Sequence, residues 1–146
     1  MATGYSKVFL DTAPFIYLLD HDMQYMDCMQ RFFDELLAQG IPLVTSTITV
    51  AEYLVQPYKR KATESVKRFF AFLDDADIQV IPIGTEIAAL AARIRAEYPA
   101  FKAMDALQLA TAQTEACDAF LTNDKQLRQF QHLRYLMVDE LEKLQS

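Results

Sequence analysis

Residues 7–19 read KVFLDTAPFIYLL. Val8, Phe9 and Leu10 form a short apolar run suited to a buried strand. Pro14 falls where a first helical turn tolerates proline, and FIYLL carries the helix onward. A buried strand handing over to a helix is half of a β-α-β unit, with Asp11 at the handover. The same alternation runs through the rest of the chain. A helical pattern covers 22–39, with Met26, Met29, Phe33, Leu36 and Leu37 on its inner face, and Gly40 ends it. IPLVT (41–45) reads as a strand. Ser46 or Thr47 caps the helix ITVAEYLVQ, which Pro57 breaks. ATESVKRFFAFLDD (62–75) is helical, facing inward through Val66, Phe69, Phe70 and Leu73. IQVIPI (78–83) is β-branched and strand-like, and Gly84-Thr85 lead into the helix EIAALAARIRAEY, which Pro99 ends. MDALQLATAQTEA (104–116) is a further helix, AFLT (119–122) a strand and NDKQLRQF a helical turn. YLMV (135–138) is the last strand, before a short C-terminal helix. Strands separated by helices predict an α/β fold with a parallel sheet covered on both faces. No linker, repeat or low-complexity tract divides the chain, so residues 1–146 read as one domain.

The bulk composition bounds the function. Of 146 residues, 52% are hydrophobic and 23% charged, as in an ordinary globular protein. No segment approaches the run of about 20 apolar residues that a membrane span requires. The opening MATGYSKVFLDTAPF has no basic start and long apolar core of a secretory signal, so a cytoplasmic location is expected. Cys28 and Cys117 lie far apart in no metal-like spacing and read as two reduced thiols. The net charge of −6 on its own argues against nucleic acid, since phosphate contacts call for Lys and Arg. Carboxylates gathered around cations would account for the sign, provided a basic rim surrounds them.

Four of the 20 acidic residues stand apart from the solvated runs. Asp11 ends the first strand and Asp124 lies just past AFLT. Both positions are at strand carboxyl ends, where open parallel sheets bind ligands. Glu52 sits in ITVAEYLV and Asp105 in AMDALQLATA, each with few polar neighbours. A carboxylate in apolar company must be paired, protonated or bound to a cation. Hard cations such as Mg²⁺ or Mn²⁺ favour such oxygen ligands and can activate water against a phosphodiester. No His- or Cys-rich cluster recruits zinc. The competing reading of each acid is a helix cap or an ion pair, Asp124 above all.

Taken in order, LDTAPFIYLLD, STITVAEYL, KAMDALQLATA and FLTNDKQL resemble the four motif regions of PIN domains. They look most like those of the VapC-like toxins of type II toxin–antitoxin pairs. The resemblance runs from about residue 6 to residue 139. It implies a three-layer α/β/α fold and a Mg²⁺- or Mn²⁺-dependent endoribonuclease that leaves 5′-phosphate and 3′-hydroxyl ends. Residue by residue, Asp11, Glu52, Asp105 and Asp124 match the family's acids, and Thr122 matches the supporting hydroxyl. Asn123 is the weakest match, since it can equally cap the following turn. The resemblance also implies a cognate antitoxin and a homodimer, with the stripe Met23, Met26, Met29, Phe32 and Phe33 as core or as a docking groove.

Lys59, Arg60 and Lys61, with Lys67 and Arg68, form one basic stretch. Arg93, Arg95 and Lys102 form another. They read as an RNA-tracking rim or as solvated helix surface. Tyr53 and Tyr58 read as base-stacking rings or as partly buried core. His21 and His132 read as surface residues. Three other functions compete. A haloacid-dehalogenase-type phosphatase would want an acid two residues after Asp11, where Ala13 stands. A structure-specific DNA nuclease would ordinarily be longer. A PIN-fold module that binds RNA or protein without cutting it remains the main alternative.

Overall fold

The computed structural model describes residues 4–141. β1 (Val8–Leu10) runs into α1 (Thr12–Leu19) and α2 (Met26–Ala38), then β2 (Leu43–Ser46). Three helices follow: α3 (Thr47–Tyr53), α4 (Val55–Lys59) and α5 (Thr63–Asp75). β3 (Gln79–Ile81), α6 (Thr85–Glu97), α7 (Ala103–Thr114), β4 (Ala119–Thr122) and β5 (Arg134–Met137) complete the order, with 3₁₀ turns at Lys125–Gln129 and Val138–Glu140. The expected C-terminal helix falls mostly outside the described residues.

The five strands form one parallel sheet in the order β3-β2-β1-β4-β5. Because side chains alternate across a strand, one sheet feeds two cores. Val8, Leu10, Ala119, Leu121 and Leu136 face the side packed by Phe15, Met29, Phe32, Leu36, Tyr53 and Phe69. Phe9, Val44 and Phe120 face the other, packed by Ile87, Ile94, Leu109 and Leu127. Phe9 and Phe120 stack across neighbouring strands, ring centroids 5.0 Å apart. The three layers are therefore α1–α2–α5, the sheet, and α6–α7.

Local sequence sets the boundaries. Gly40 at φ 67 closes α2, with Ile41 N–H donating to the Leu36 carbonyl. The break between α3 and α4 comes at Leu54, ahead of Pro57. A proline ring clashes with the carbonyl four residues back, here that of Tyr53, so the helix yields before the proline is reached. α2 starts at Met26 rather than residue 22, because Asp22 holds a turn by accepting from the N–H groups of Gln24 and Tyr25. Met23 is fully exposed, and Leu37 and Phe70 are nearly half exposed. Cys28 and Phe32 fill inner positions of α2 instead.

From β1 the chain winds outward through β2 to β3, then returns through α6 and α7 to β4 on β1's other side. The carboxyl ends of β1 and β4 therefore flank the point where the winding reverses, the usual place for a ligand crevice in such sheets.

Candidate metal centre

Asp11 leaves β1 with extended backbone and caps α1, Oδ1 accepting from Thr12 N–H at 2.9 Å. The Thr122 hydroxyl, at the end of the neighbouring β4, donates to Asp11 Oδ2 at 2.8 Å. Thr122 Oγ1 also accepts the Asp124 N–H at 3.1 Å, so one hydroxyl ties the β4 loop to the first aspartate. Burial is the largest influence on the Asp11 carboxyl. The negative charges of Glu52 and Asp105 add to it, and together they outweigh these hydrogen bonds to push its pKa up to about 6.

Glu52 is exposed on α3, contrary to the expectation of apolar company. The seven-residue helix buries Thr49 and Tyr53, which leaves position 52 facing solvent. What fixes Glu52 is Thr12, whose hydroxyl donates to Oε1 at 2.6 Å. Asp105 is half-buried in the first turn of α7 and accepts the Lys102 N–H at 3.2 Å. Its pKa is raised, first by burial and then by the charge of Asp124, against the pull of that hydrogen bond and of the Lys102 charge. Asp124 caps the 3₁₀ turn through Gln126 N–H at 3.0 Å. Capping thus accounts for one oxygen each of Asp11, Asp105 and Asp124.

Capping leaves much of the group unexplained. Among the described residues, no lysine or arginine forms an ion pair with any of the four acids. Asp105 Oδ1, Asp124 Oδ2 and Glu52 Oε2 accept no hydrogen bond among the described residues. Asp11 senses Glu52 and Asp105, and Asp105 senses Asp124, which links all four through one field of like charge. These are hard oxygen donors with unengaged lone pairs and, among the described residues, no ion-pair partner, a set that fits Mg²⁺ or Mn²⁺. The side chains are not drawn into one ligand sphere, however. Among the described residues, no three Asp, Glu, His or Cys side chains close on a single ion position. Three of the acids are turned toward nearby backbone N–H groups, and like charges gain nothing by approaching one another unaided.

Sequence reasoning missed the polar network beneath Asp11. Gln108 on α7 is 2% exposed, and Thr45, Ser46 and Thr49 are wholly buried. The Gln108 amide donates to Thr49 Oγ1 at 2.8 Å and reaches Asp11 Oδ1 at 3.4 Å, while its Oε1 accepts from the Ser46 hydroxyl. Thr45 lies 2.8 Å from Thr49 and donates to the Leu10 carbonyl at 2.7 Å. The signal in sequence was a lone glutamine in DALQLATA and a run of hydroxyls in TSTIT.

The remaining candidates divide. Lys59, Arg60, Lys61 and Arg93 are exposed and form no ion pair among the described residues. Arg95 Nε donates to the Phe101 carbonyl at 3.2 Å, pinning the turn between α6 and α7. Tyr53 is core, stacked on Phe69 at 4.6 Å and donating to Asp20 at 2.8 Å, whereas Tyr58 is 62% exposed. Asn123 does not cap the 3₁₀ turn; it donates to Tyr17 Oη and accepts the Asp139 N–H. His21 and His132 are exposed, as expected. Cys28 and Cys117 are buried thiols with no disulfide among the described residues, and no described helix is long and apolar enough to cross a membrane.

Comparison with known proteins supplies the family. The model of the PIN domain matches residues 8–133. No curated protein matches the chain by sequence. Among solved structures, the chain is similar to VapBC2 from Rickettsia felis bound to a fragment of promoter DNA. That match has a TM-score of 0.75 and 18% identity, covering 89% of this chain and 97% of that one. FitAcB from Neisseria gonorrhoeae matches at 0.69 and 20% identity, covering 90% and 97%. Mycobacterium tuberculosis VapC20, a toxin that cleaves the sarcin-ricin loop, matches at 0.68 and 16% identity, covering 86% and 95%. At these identities the likeness establishes the fold.

Proposed function

The chain belongs to the PIN-domain family, and from that premise we propose that it is a divalent-cation-dependent endoribonuclease, the toxin of a toxin–antitoxin pair. One observation carries the reading. Asp11, at the carboxyl end of β1, is held largely desolvated in the field of Glu52 and Asp105, with no ion-pair partner among the described residues. A fold spends stability on such an arrangement where a cation is to be bound.

Asp11, Glu52, Asp105 and Asp124 would hold Mg²⁺ or Mn²⁺. The cation would supply charge neutralisation at the phosphodiester and lower the pKa of water. The chain's own residues do the positioning. Thr122 fixes Asp11 Oδ2 and the Asp124 backbone together, so the acids at the ends of β1 and β4 keep their spacing. Thr12 fixes the rotamer of Glu52. Gln108 steadies Asp11 from below and excludes water from the floor of the site. Lys59, Arg60, Lys61 and Arg93 would screen the approach of a polyanion to an acidic protein. The similarity to VapBC2 and FitAcB supports an antitoxin partner, and that to the sarcin-ricin-loop-cleaving VapC20 supports RNA as substrate; a homodimer as the working form is part of the same proposal.

A non-cutting RNA- or protein-binding module is the second reading. It is favoured by the absence, among the described residues, of three acids closing on one ion position. Cleavage of a structured-RNA pool separates the two. The nuclease reading predicts fragments with Mg²⁺ or Mn²⁺, none with EDTA, and a loss of about three orders of magnitude in Asp105→Asn. Folded, inhibitor-free protein that leaves RNA intact under both metals would favour the binding module.

A further inference from the structure

Residues 55–70 hold Lys59, Arg60, Lys61, Lys67 and Arg68 against the single acid Glu64, a net +4. The rest of the chain then carries −10. The one ion pair in this segment among the described residues joins Lys67 to Glu64, exposed on both sides. Among the described residues the other four cations form no ion pair, and Arg68 donates to the Ser65 hydroxyl instead. The same segment holds an apolar hollow, which Lys61 lines. Lys61 takes a left-handed backbone, φ 54, which folds α5 back on α4. Between the two helices lies a hollow of about 120 Å³ lined by Pro57, Tyr58, Lys61, Ala62, Thr63 and Val66. Tyr58 is 62% exposed at its edge, and Phe70, 47% exposed, lies one helical turn beyond Val66. The segment's charge extends toward α3, the helix that carries Glu52. Arg60 and Arg68 are close enough to influence Tyr53, which follows Glu52 directly.

We propose that the α4–α5 hollow is a nucleobase-stacking site for single-stranded RNA, with Tyr58 as the stacking ring and Lys61 and the other lysines and arginines of the segment on the flanking phosphates. This rests on the reading of the chain as an RNA-acting protein and narrows its substrate to unpaired RNA. The physical argument is complementarity. An exposed aromatic edge inside a cationic patch suits a ligand that is flat, apolar on its faces and anionic along its backbone, and an unstacked nucleotide is such a ligand. A protein helix docking in the same hollow would have to be acidic to match the patch. A second copy would bring +4 against +4.

The test uses a short single-stranded RNA carrying 2-aminopurine, whose fluorescence falls when it stacks on an aromatic ring. It is bound by the Asp11→Asn chain in Mg²⁺, so that cleavage does not interfere. Adding Tyr58→Ala should weaken binding about tenfold and abolish the quench, while Tyr58→Phe keeps both, since stacking needs the ring and not the hydroxyl. The salt dependence of binding should survive in Tyr58→Ala, because the phosphate contacts are untouched. Circular dichroism confirms that the variants fold. Unchanged affinity and quench in Tyr58→Ala would overturn the proposal. So would a change of oligomeric state with RNA binding intact, which would give the hollow to a second copy. The quench is read without cleavage, so the stacking site stands or falls separately from the nuclease reading.

Discussion

Asp11→Asn is expected to reduce RNA cleavage by about three orders of magnitude and, in the same preparation, to make the metal-free protein more stable at neutral pH. The two effects share a cause. Burial, with the charges of Glu52 and Asp105, pushes the Asp11 pKa from 3.8 to about 6. That difference is worth about 3 kcal/mol between its protonation states. A carboxyl whose pKa is higher folded than unfolded binds more protons in the folded state between those values. Its contribution to stability is present in full below about pH 4 and lost as pH rises through about 6. At pH 7 the charged group is a liability unless a cation neutralises it. Asparagine removes the charge and keeps the shape, at the cost of one acceptor for the Thr12 N–H or the Thr122 hydroxyl. In EDTA the variant's melting temperature should exceed the parent's at pH 7 by a few degrees, and the two should converge near pH 4. A variant that melts lower than its parent at every pH, or that cuts RNA normally, would refute this account of Asp11.

Gln108→Leu should be the most damaging change outside the acids. The substitution nearly conserves volume but leaves the Ser46 O–H without its acceptor, while Ser46 Oγ still caps Ile48 N–H, and takes from Thr49 the amide that donates to it, all in fully buried surroundings. Each stranded group costs about 1–3 kcal/mol, so a loss of about 2–4 kcal/mol in chemical denaturation is expected. Because Gln108 also reaches Asp11, cleavage should fall about 10- to 100-fold in protein that is still folded. Thr49→Val combined with Gln108→Leu should cost less than the two singles together, since it removes both partners of one bond. Strict additivity would show that the network does not act as a unit.

The fold was legible because its signals are local. Each strand is a short apolar run, and each junction carries its own marker, such as Gly40 closing α2 or Asp11 opening α1. β4 was read to its observed limits, whereas β2 was placed about two residues early because IPLVT and LVTS are equally strand-like. The strand order was not legible, since nothing local says that β4 pairs with β1. The acids at strand ends were singled out because position in an α/β sheet is itself informative. Glu52 was singled out for a physical reason that the structure does not bear out. Its sequence neighbours are apolar, but a seven-residue helix has a solvent face and the glutamate lies on it. Thr12, Thr45, Thr49 and Gln108 escaped notice because their meaning lies in contacts across 35 to 97 positions of chain. A hydroxyl or amide in a sequence carries no mark of the partner it will meet.

The central claim is that the acids of β1, α3, α7 and the β4 loop hold a divalent cation. Titrating Mn²⁺ into the protein while following the electron paramagnetic resonance signal of the free ion tests it most directly. The account predicts that the free-ion signal is depleted by wild-type protein, that Mg²⁺ competes, and that depletion disappears when Asp11 and Asp105 are both replaced by asparagine. A free-ion signal unaffected by folded wild-type protein, with and without RNA present, would contradict it.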